Sequence, residues 1–213
     1  KEIDSTNVES LIELRETNAS GSKIGFAASI DTAKTVITIN PTSDFSSEQV
    51  IYVAIAASVE DLYDNAISAS SITFTAVDSV SPTIVFDPKD LEDLVPVTDN
   101  ITLTFSEAIR KIDLNKTLTS TNVDALITLK DTDENGSNID FNATIDSDKK
   151  IITIDPDSSF SSEQTVYVAI GATVEDYSDN AITASSITFV AADSTAPTLD
   201  FTPGDSDTGI AVN

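Results

Sequence analysis

The chain has 213 residues, of which 36 are acidic and 11 are basic, so its formal net charge at pH 7 is −25. A surface this negative repels nucleic acid and anionic membranes, and no apolar run approaches the roughly 20 residues of a membrane-spanning helix, so neither nucleic-acid binding nor direct membrane insertion is expected. Because the chain lacks Cys and His, disulfides, thiolate metal sites, a cysteine nucleophile and the usual histidine general base are excluded.

An internal repeat organises the chain. Residues 46–74 and 161–189 agree at 22 of 29 positions, and the longer stretches 1–78 and 116–193 agree at 47 of 78 positions with a constant, gapless offset of 115 residues. A period of this length has the size of a small domain and is too long for a solenoid unit. We therefore predict an N-terminally incomplete repeat at 1–78, a complete repeat at 79–193, and the first strand of a third repeat at 194–213.

Alternation of apolar and polar residues predicts the strands of the first repeat. The segment 23–31 alternates with one apolar face, and the segment 34–41 follows it after a short turn. The repeated stretch at 46–74 adds one strand that carries Ile51, Val53 and Ile55 and a closing strand that carries Ile72 and Phe74. The side chains expected to face inward on these strands are Ile24, Phe26, Ala28, Ile30, Ile37, Ile39, Ile51, Val53, Ile55, Ile72 and Phe74.

The complete repeat contains seven alternating segments of this kind. They are centred on TIVFDP (83–88), NITLTF (100–105), Ile127 with Leu129, NIDFNATID (138–146), KKIITIDP (149–156), QTVYVAIGA (164–172) and SSITFVAAD (185–193). The polar stretch 89–99 is predicted to be a connection. Seven short strands in about 100 residues indicate an all-β fold, an antiparallel β-sandwich in which two sheets share one core.

Several motifs carry a family resemblance. The segment VPVTDNITLTFSEA (95–108), the Ile-Thr-Ile-x-Pro strand, the Tyr-Val-x-Ile strand and the Asp-x-x-x-Asn-Ala-Ile loop resemble bacterial Ig-like domains of the SbsA, or S-layer, type. The resemblance implies Ig-like sandwiches strung in tandem in a large cell-surface protein. That family usually has Gly before the loop Asn, where this chain has Asp64 and Asp179; the turn could differ, because Asp adopts left-handed geometry less easily.

The acidic loop of each repeat is a candidate calcium site. Hard cations such as calcium take six to eight oxygen ligands from carboxylates, amides and carbonyls. The candidate ligands are Glu107, Asp176, Asp179, Asn180 and Asp193, with Asp61, Asp64 and Asn65 in the first repeat. The alternative is an acidic turn whose Asp and Asn side chains bond their own backbone. The EF-hand-like start at 131–136 lacks the position-12 Glu and predicts a hairpin turn.

Two classes of function remain, and neither is catalytic. The first is a structural module of an extended extracellular array on the cell surface (fibre, stalk or S-layer), with neighbouring copies of the same repeat as partners. The alternative is an adhesive binding module of a calcium-dependent surface adhesin. Near-identity of the copies favours the first. Glycans are possible at the sequons of Asn18, Asn100, Asn115, Asn135 and Asn142.

Overall fold

The computed structural model describes residues 3–4, 6–61, 63–113, 117–202 and 208. The fold is all-β, with short 3₁₀ turns at Val8–Leu11 and Asp124–Leu126. The chain divides into two compact units, which we call unit 1 (Lys1–Val80) and unit 2 (Ser81–Asn213). No helix among the residues that the structure describes has the length and apolar character needed to span a membrane.

Unit 1 consists of two small antiparallel sheets. Its strands are β1 (Ile12–Glu16), β2 (Phe26–Ile30), β3 (Ile37–Pro41), β4 (Val50–Ile55) and β5 (Ser70–Thr75). One sheet has the order β1-β4-β5, and the other is the β2-β3 hairpin. The predicted strands of the first repeat are therefore present.

Unit 2 contains two four-stranded sheets. Its strands are β6 (Ile84–Asp87), β7 (Glu92–Val95), β8 (Ile101–Phe105), β9 (Arg110–Lys111), β10 (Ile127–Asp131), β11 (Phe141–Ile145), β12 (Ile151–Pro156), β13 (Thr165–Ile170), β14 (Val174–Glu175) and β15 (Ser185–Ala191). The sheet orders are β10-β13-β15-β7 and β11-β12-β8-β6, and β9 pairs separately with β14.

The core of unit 2 lies between these sheets. Alternate residues of β8, β12, β13 and β15 are buried. Leu103 and Ile152 in one sheet and Val166 and Phe189 in the other belong to one hydrophobic cluster. Fully burying an aliphatic or aromatic side chain contributes about 1.5–3 kcal/mol. Because each strand is apolar on only one face, the two sheets must pack face to face, and the predicted Ig-like β-sandwich is confirmed.

One predicted connection is in fact a strand. Within the stretch 89–99, β7 pairs in parallel with β15 through Phe189↔Glu92 and Ala191↔Val95. The two sheets thus have eight strands instead of seven, and one pair is not antiparallel. The alternation of apolar and polar residues did not predict β7, because only Val95 of this strand is buried. Leu91 and Leu94 are exposed and have left-handed φ angles of 60°.

The predicted inward face of β5 is not buried. Ile72 is 63% exposed and Phe74 is 42% exposed, whereas their equivalents Ile187 and Phe189 in unit 2 are 7% and 1% exposed. Pairing register is not the cause, since β4–β5 and β13–β15 pair identically at the 115-residue offset. Among the residues of unit 1 that the structure describes, no strand corresponds to β6, β7 or β8. The predicted first strand of a third repeat is not formed in the described residues 194–202, where Leu199 and Phe201 are exposed and pair with no other strand. Residues 203–207 and 209–213 of that prediction lie outside the described residues.

Candidate functional site

The acidic loop of unit 2, residues 171–184, connects β13 to β15. Its short strand β14 pairs with β9, through Val174↔Lys111 and Glu175↔Arg110. A bridge between Glu175 and Ala181, together with a hydrogen bond of 3.1 Å from the Asp176 N–H to the Asn180 carbonyl, closes the tip of the loop. The loop is therefore a defined turn, fixed both within itself and to a strand far away in sequence.

Asp176 is the centre of this turn. Asp176 is only 1% exposed to solvent. Oδ1 accepts hydrogen bonds from the backbone N–H groups of Ser178 at 2.7 Å and Asn180 at 2.9 Å, and Oδ2 accepts one from Asn180 Nδ2 at 2.8 Å. A buried carboxylate needs such donors, because its desolvation is otherwise costly. This is the hydrogen-bonding pattern of the self-bonded acidic turn.

Unit 1 repeats the turn around Asp61. Oδ1 accepts from the N–H groups of Tyr63 at 2.8 Å and Asn65 at 3.0 Å, and Asn65 Nδ2 donates to Oδ2 at 3.0 Å. The side-chain bond from Asn65, followed by these backbone bonds, lowers the pKa of Asp61 below its ordinary value. Asp64 and Asp179 have φ angles of 63° and 71°. Both therefore adopt the left-handed conformation that favours Gly, at the position where the family usually has Gly.

Only some of the predicted metal ligands come together in unit 2. Glu107 follows β8, and one of its carboxylate oxygens lies within 4.8 Å of a carboxylate oxygen of Asp176. Asn180 joins them through its bonds to Asp176. Glu107, Asp176 and Asn180 supply only part of the six to eight oxygens that calcium takes.

Asp193 does not join this group, and its predicted convergence with the loop is wrong. It follows β15 at the end opposite to the acidic loop, and the 7 residues of that strand span about 20 Å. There Asp193 accepts hydrogen bonds from Ser162 Oγ at 2.7 Å and the Thr195 N–H at 2.8 Å. The Ser162 hydroxyl, and then the Thr195 amide, lower the pKa of Asp193. Asp193 thus links the end of β15 to the turn that precedes β13.

Asp179 is engaged by a residue that the sequence reasoning missed. The guanidinium of Arg110 forms an ion pair with Asp179, and its Nε lies 3.1 Å from Glu175 Oε1. The same guanidinium lies over the ring of Tyr177, with its central carbon 5.5 Å from the ring centroid. Arg110 and Glu175 are both largely buried. The available signal was rarity, because Arg110 is one of only two arginines in a chain with 36 acidic residues.

The combined arrangement locks a loop in place. Asp176 is held by donors of its own turn, and Arg110 pairs with two carboxylates and so links the loop to β9. Charge-assisted hydrogen bonds of this kind are stronger than neutral ones. The geometry thus accounts for the acidic loop as a structural turn, and calcium binding stays a prediction.

Comparisons with known proteins place the fold in a family. A search of curated proteins found no match. Among solved structures, the chain is similar to CopC from Methylosinus trichosporium OB3b, with 14% sequence identity over 55% of this chain and 99% of that chain and a TM-score of 0.37. A family model described as a bacterial Ig-like domain matches residues 78–191, which is more than half of the chain and includes both sheets of unit 2. The chain therefore belongs to the bacterial Ig-like domain family.

Proposed function

We propose that this chain is a structural module of an extended cell-surface array, a fibre, stalk or S-layer, built from Ig-like domains in tandem. The observation that carries the proposal is the repetition of one set of strand pairings at a constant offset. The pairs Ile12↔Ile55 and Val53↔Ile72 in unit 1 recur as Ile127↔Ile170 and Val168↔Ile187 in unit 2. Each further domain of this kind would lengthen the array.

Similarity of the loops supports a structural role over an adhesive one. Loops positioned by a rigid scaffold carry most binding functions, and they vary when recognition differs. Here the loop VEDLYDNAI of unit 1 and VEDYSDNAI of unit 2 agree at seven of nine positions. Asp61 and Asp176 also accept equivalent hydrogen bonds within their turns. The carboxylates of Asp61 and Asp176 therefore form hydrogen bonds within their own turns.

The proposed setting is the outer surface of the cell, with neighbouring copies of the same repeat as partners. A net charge of −25 keeps such surfaces soluble and apart from one another except where contacts are specific. The proposal assigns no catalytic step, because the loop carboxylates serve as hydrogen-bond acceptors and ion-pair partners of the fold.

Immunogold electron microscopy of the producing cell tests this proposal. Antibodies raised against the 213-residue chain are expected to label a surface lattice or filament repeatedly along its length. Label on the cell surface limited to the distal tips of filaments would support the adhesive alternative. Label confined to the cell interior would overturn the proposal.

A further inference from the structure

A small hydrogen-bonded turn follows the last strand of unit 1. The Ser47 hydroxyl donates to Asp78 Oδ1 at 2.5 Å, and the backbone N–H of Val80 donates to the same oxygen at 3.0 Å. The backbone N–H of Ser79 donates to Ser47 Oγ at 3.0 Å. Because a hydroxyl can donate and accept at once, Ser47 connects the turn that precedes β4 to the residues that follow β5.

The same turn follows the last strand of unit 2. Ser162 Oγ and the Thr195 N–H both donate to Asp193 Oδ1, and the Ser194 N–H donates to Ser162 Oγ at 2.9 Å. All four positions correspond to those of unit 1 at the 115-residue offset, and the residue that differs, Val80 in place of Thr195, contributes only its backbone N–H. We call this arrangement of one serine, one aspartate and two amides the exit clasp.

The serine of the clasp is held in place by its own turn. In unit 2, the Ser161 N–H donates to Gln164 Oε1 at 2.7 Å, the Gln164 N–H donates to the Ser161 carbonyl at 3.1 Å, and Glu163 between them has a left-handed φ of 57°. The Gln164 carbonyl accepts the N–H of Ala191, two residues before the clasp aspartate, at 2.8 Å. Equivalent bonds are present in unit 1. The turn is therefore fixed to the end of the last strand before the clasp begins.

The aspartate of each clasp is stabilised as a carboxylate. The serine hydroxyl contributes most to lowering the pKa of Asp78 and of Asp193, followed by the backbone N–H two residues further on. Hydrogen bonds to an ionised acceptor are about twice as strong as those between neutral groups. In unit 2 the clasp forms although Asp193, Ser194 and Thr195 are exposed, so it is held by these bonds and not by burial.

We propose that the exit clasp fixes the direction in which the chain leaves each repeat. The two residues after the aspartate then belong to the folded unit, because both of their N–H groups are bound to it. Without the clasp, the same two residues would be free to rotate about their φ and ψ angles, as in a flexible linker. The clasp does not depend on the array function, since it acts within a single repeat.

Backbone dynamics of the full 213-residue chain, measured residue by residue by NMR, test this proposal. The amides of Ser194 and Thr195 are expected to exchange with solvent about ten times more slowly than that of Leu199, after correction for intrinsic rates. Leu199 is the reference because it is also exposed and lies outside the described strands. The order parameter of the Thr195 N–H is expected near about 0.85, and that of Leu199 below about 0.6.

Matched serine variants assign the effect to the clasp. Ser162→Ala removes both bonds of the clasp hydroxyl and is expected to abolish the protection of Ser194 and to lower the order parameter of Thr195. Ser161→Ala is the control, because its side chain is exposed and its backbone bonds to Gln164 are retained. Exchange in β15 is expected to stay unchanged in both variants, which shows that unit 2 remains folded.

A second variant keeps the test valid if Ser162→Ala disturbs β15. Asp193→Ala removes the shared acceptor at an exposed position and is expected to free Thr195 in the same way. The proposal is overturned if Ser194 and Thr195 exchange as fast as Leu199 in the parent chain. It is also overturned if Asp193→Ala leaves Thr195 ordered, or if Ser161→Ala removes as much protection as Ser162→Ala.

Discussion

Units 1 and 2 have closely similar sequences over their shared length, yet they bury it differently. Val8, Leu14 and Ile51 of unit 1 are as buried as Val123, Leu129 and Val166 of unit 2. Ile72 and Phe74, in contrast, are exposed where Ile187 and Phe189 are buried. The first set lies in or next to elements that both units share, and the second lies on a face that residues 81–111 help to cover in unit 2.

The difference shows that strand formation and core formation depend on different parts of this chain. The pairings of β1, β4 and β5 are the same as those of β10, β13 and β15. Period-two patterning and turn residues are enough to set them. Burial requires the facing sheet as well, and each large side chain left uncovered loses a share of the roughly 1.5–3 kcal/mol that full burial contributes.

The largest expected effect comes from truncating the matched phenylalanines. Phe189→Ala is expected to destabilise unit 2 by about 3–5 kcal/mol, because it removes a fully buried ring that contacts Phe160 edge-on at 5.5 Å. Phe74→Ala is expected to cost less than half as much, since that ring is partly solvated although it contacts Phe45 in the same way. Urea unfolding of the full chain measures both. Equal costs would show that the two faces are equally buried in solution.

A second comparison concerns the two arginines. Arg110→Met is expected to destabilise unit 2 by about 2–3 kcal/mol, because it leaves the buried Glu175 carboxylate without its cation. Arg15→Met removes the more exposed pair with Glu13, at 3.3 Å, and is expected to cost about 0–1 kcal/mol. Thermal unfolding gives both values.

Adding Glu175→Gln to Arg110→Met is expected to restore part of the loss, since the second change removes the orphaned charge. If the double variant is no more stable than the single one, the cost lies in lost packing over Tyr177 and not in the ion pair.

Acid pH should weaken unit 1 through the turn that contains Asp31. Asp31 accepts backbone bonds from the N–H groups of Val36 at 2.9 Å and Thr35 at 2.7 Å, and these bonds, the Val36 one first, lower its pKa from the ordinary value of 3.8. A lowered folded-state pKa gives stability that is present above the unfolded-state value and is lost as pH falls through the folded-state value.

Asp31→Asn is therefore expected to lower the melting temperature of unit 1 slightly at pH 7, and this difference is expected to shrink as pH is lowered through the folded-state pKa of Asp31. Melting curves across this pH range provide the test. A constant difference between variant and parent at every pH would assign the effect to geometry and not to charge.

Calcium is expected to have the smallest effect of the four. Millimolar calcium should raise the melting temperature of unit 2 modestly, by binding near Glu107 and Asp176, and unit 1 should respond similarly at Asp61. Calorimetry at constant ionic strength, with and without chelator, measures it, and Glu107→Gln should remove the response of unit 2. An unchanged curve would leave both loops as plain acidic turns.

The sequence was sufficient for the parts of this molecule that depend on local pattern. Alternation located the seven strands of the complete repeat and its inward face, and the Asp-Asn spacing allowed for a self-bonded turn. Strand β7 was missed because it is short, polar and paired with a strand almost 100 residues away. Arg110 was missed for a similar reason, since its partners lie on a loop 65 and 69 residues further along the chain.

The site prediction was limited in the same way. Glu107 and Asp176 do come close, whereas Asp193 lies at the far end of β15. Asp193 lies close to the last strand in sequence, but this proximity does not show at which end of the sandwich Asp193 lies. That depends on strand direction, which follows only from the complete topology. For Ile72 and Phe74 the pattern predicted a buried face that the structure leaves exposed, because no described strand of unit 1 covers it.

The parallel pairing of β7 with β15 has a mechanical consequence. Tension that reaches β7 from the N-terminal side and β15 from the C-terminal side pulls these strands in opposite directions along their common axis. The bonds from Leu91 to Thr188 and from Ala192 to Val95 are then loaded in shear together instead of being peeled apart singly. In the described part of unit 1 the corresponding sheet is β1-β4-β5, with no strand parallel to β5, so we expect unit 1 to unfold at lower force. In single-molecule pulling, two rupture events of equal force would refute this expectation. Unequal rupture forces would show that β7, which completes the sheet of unit 2, also bears the mechanical load.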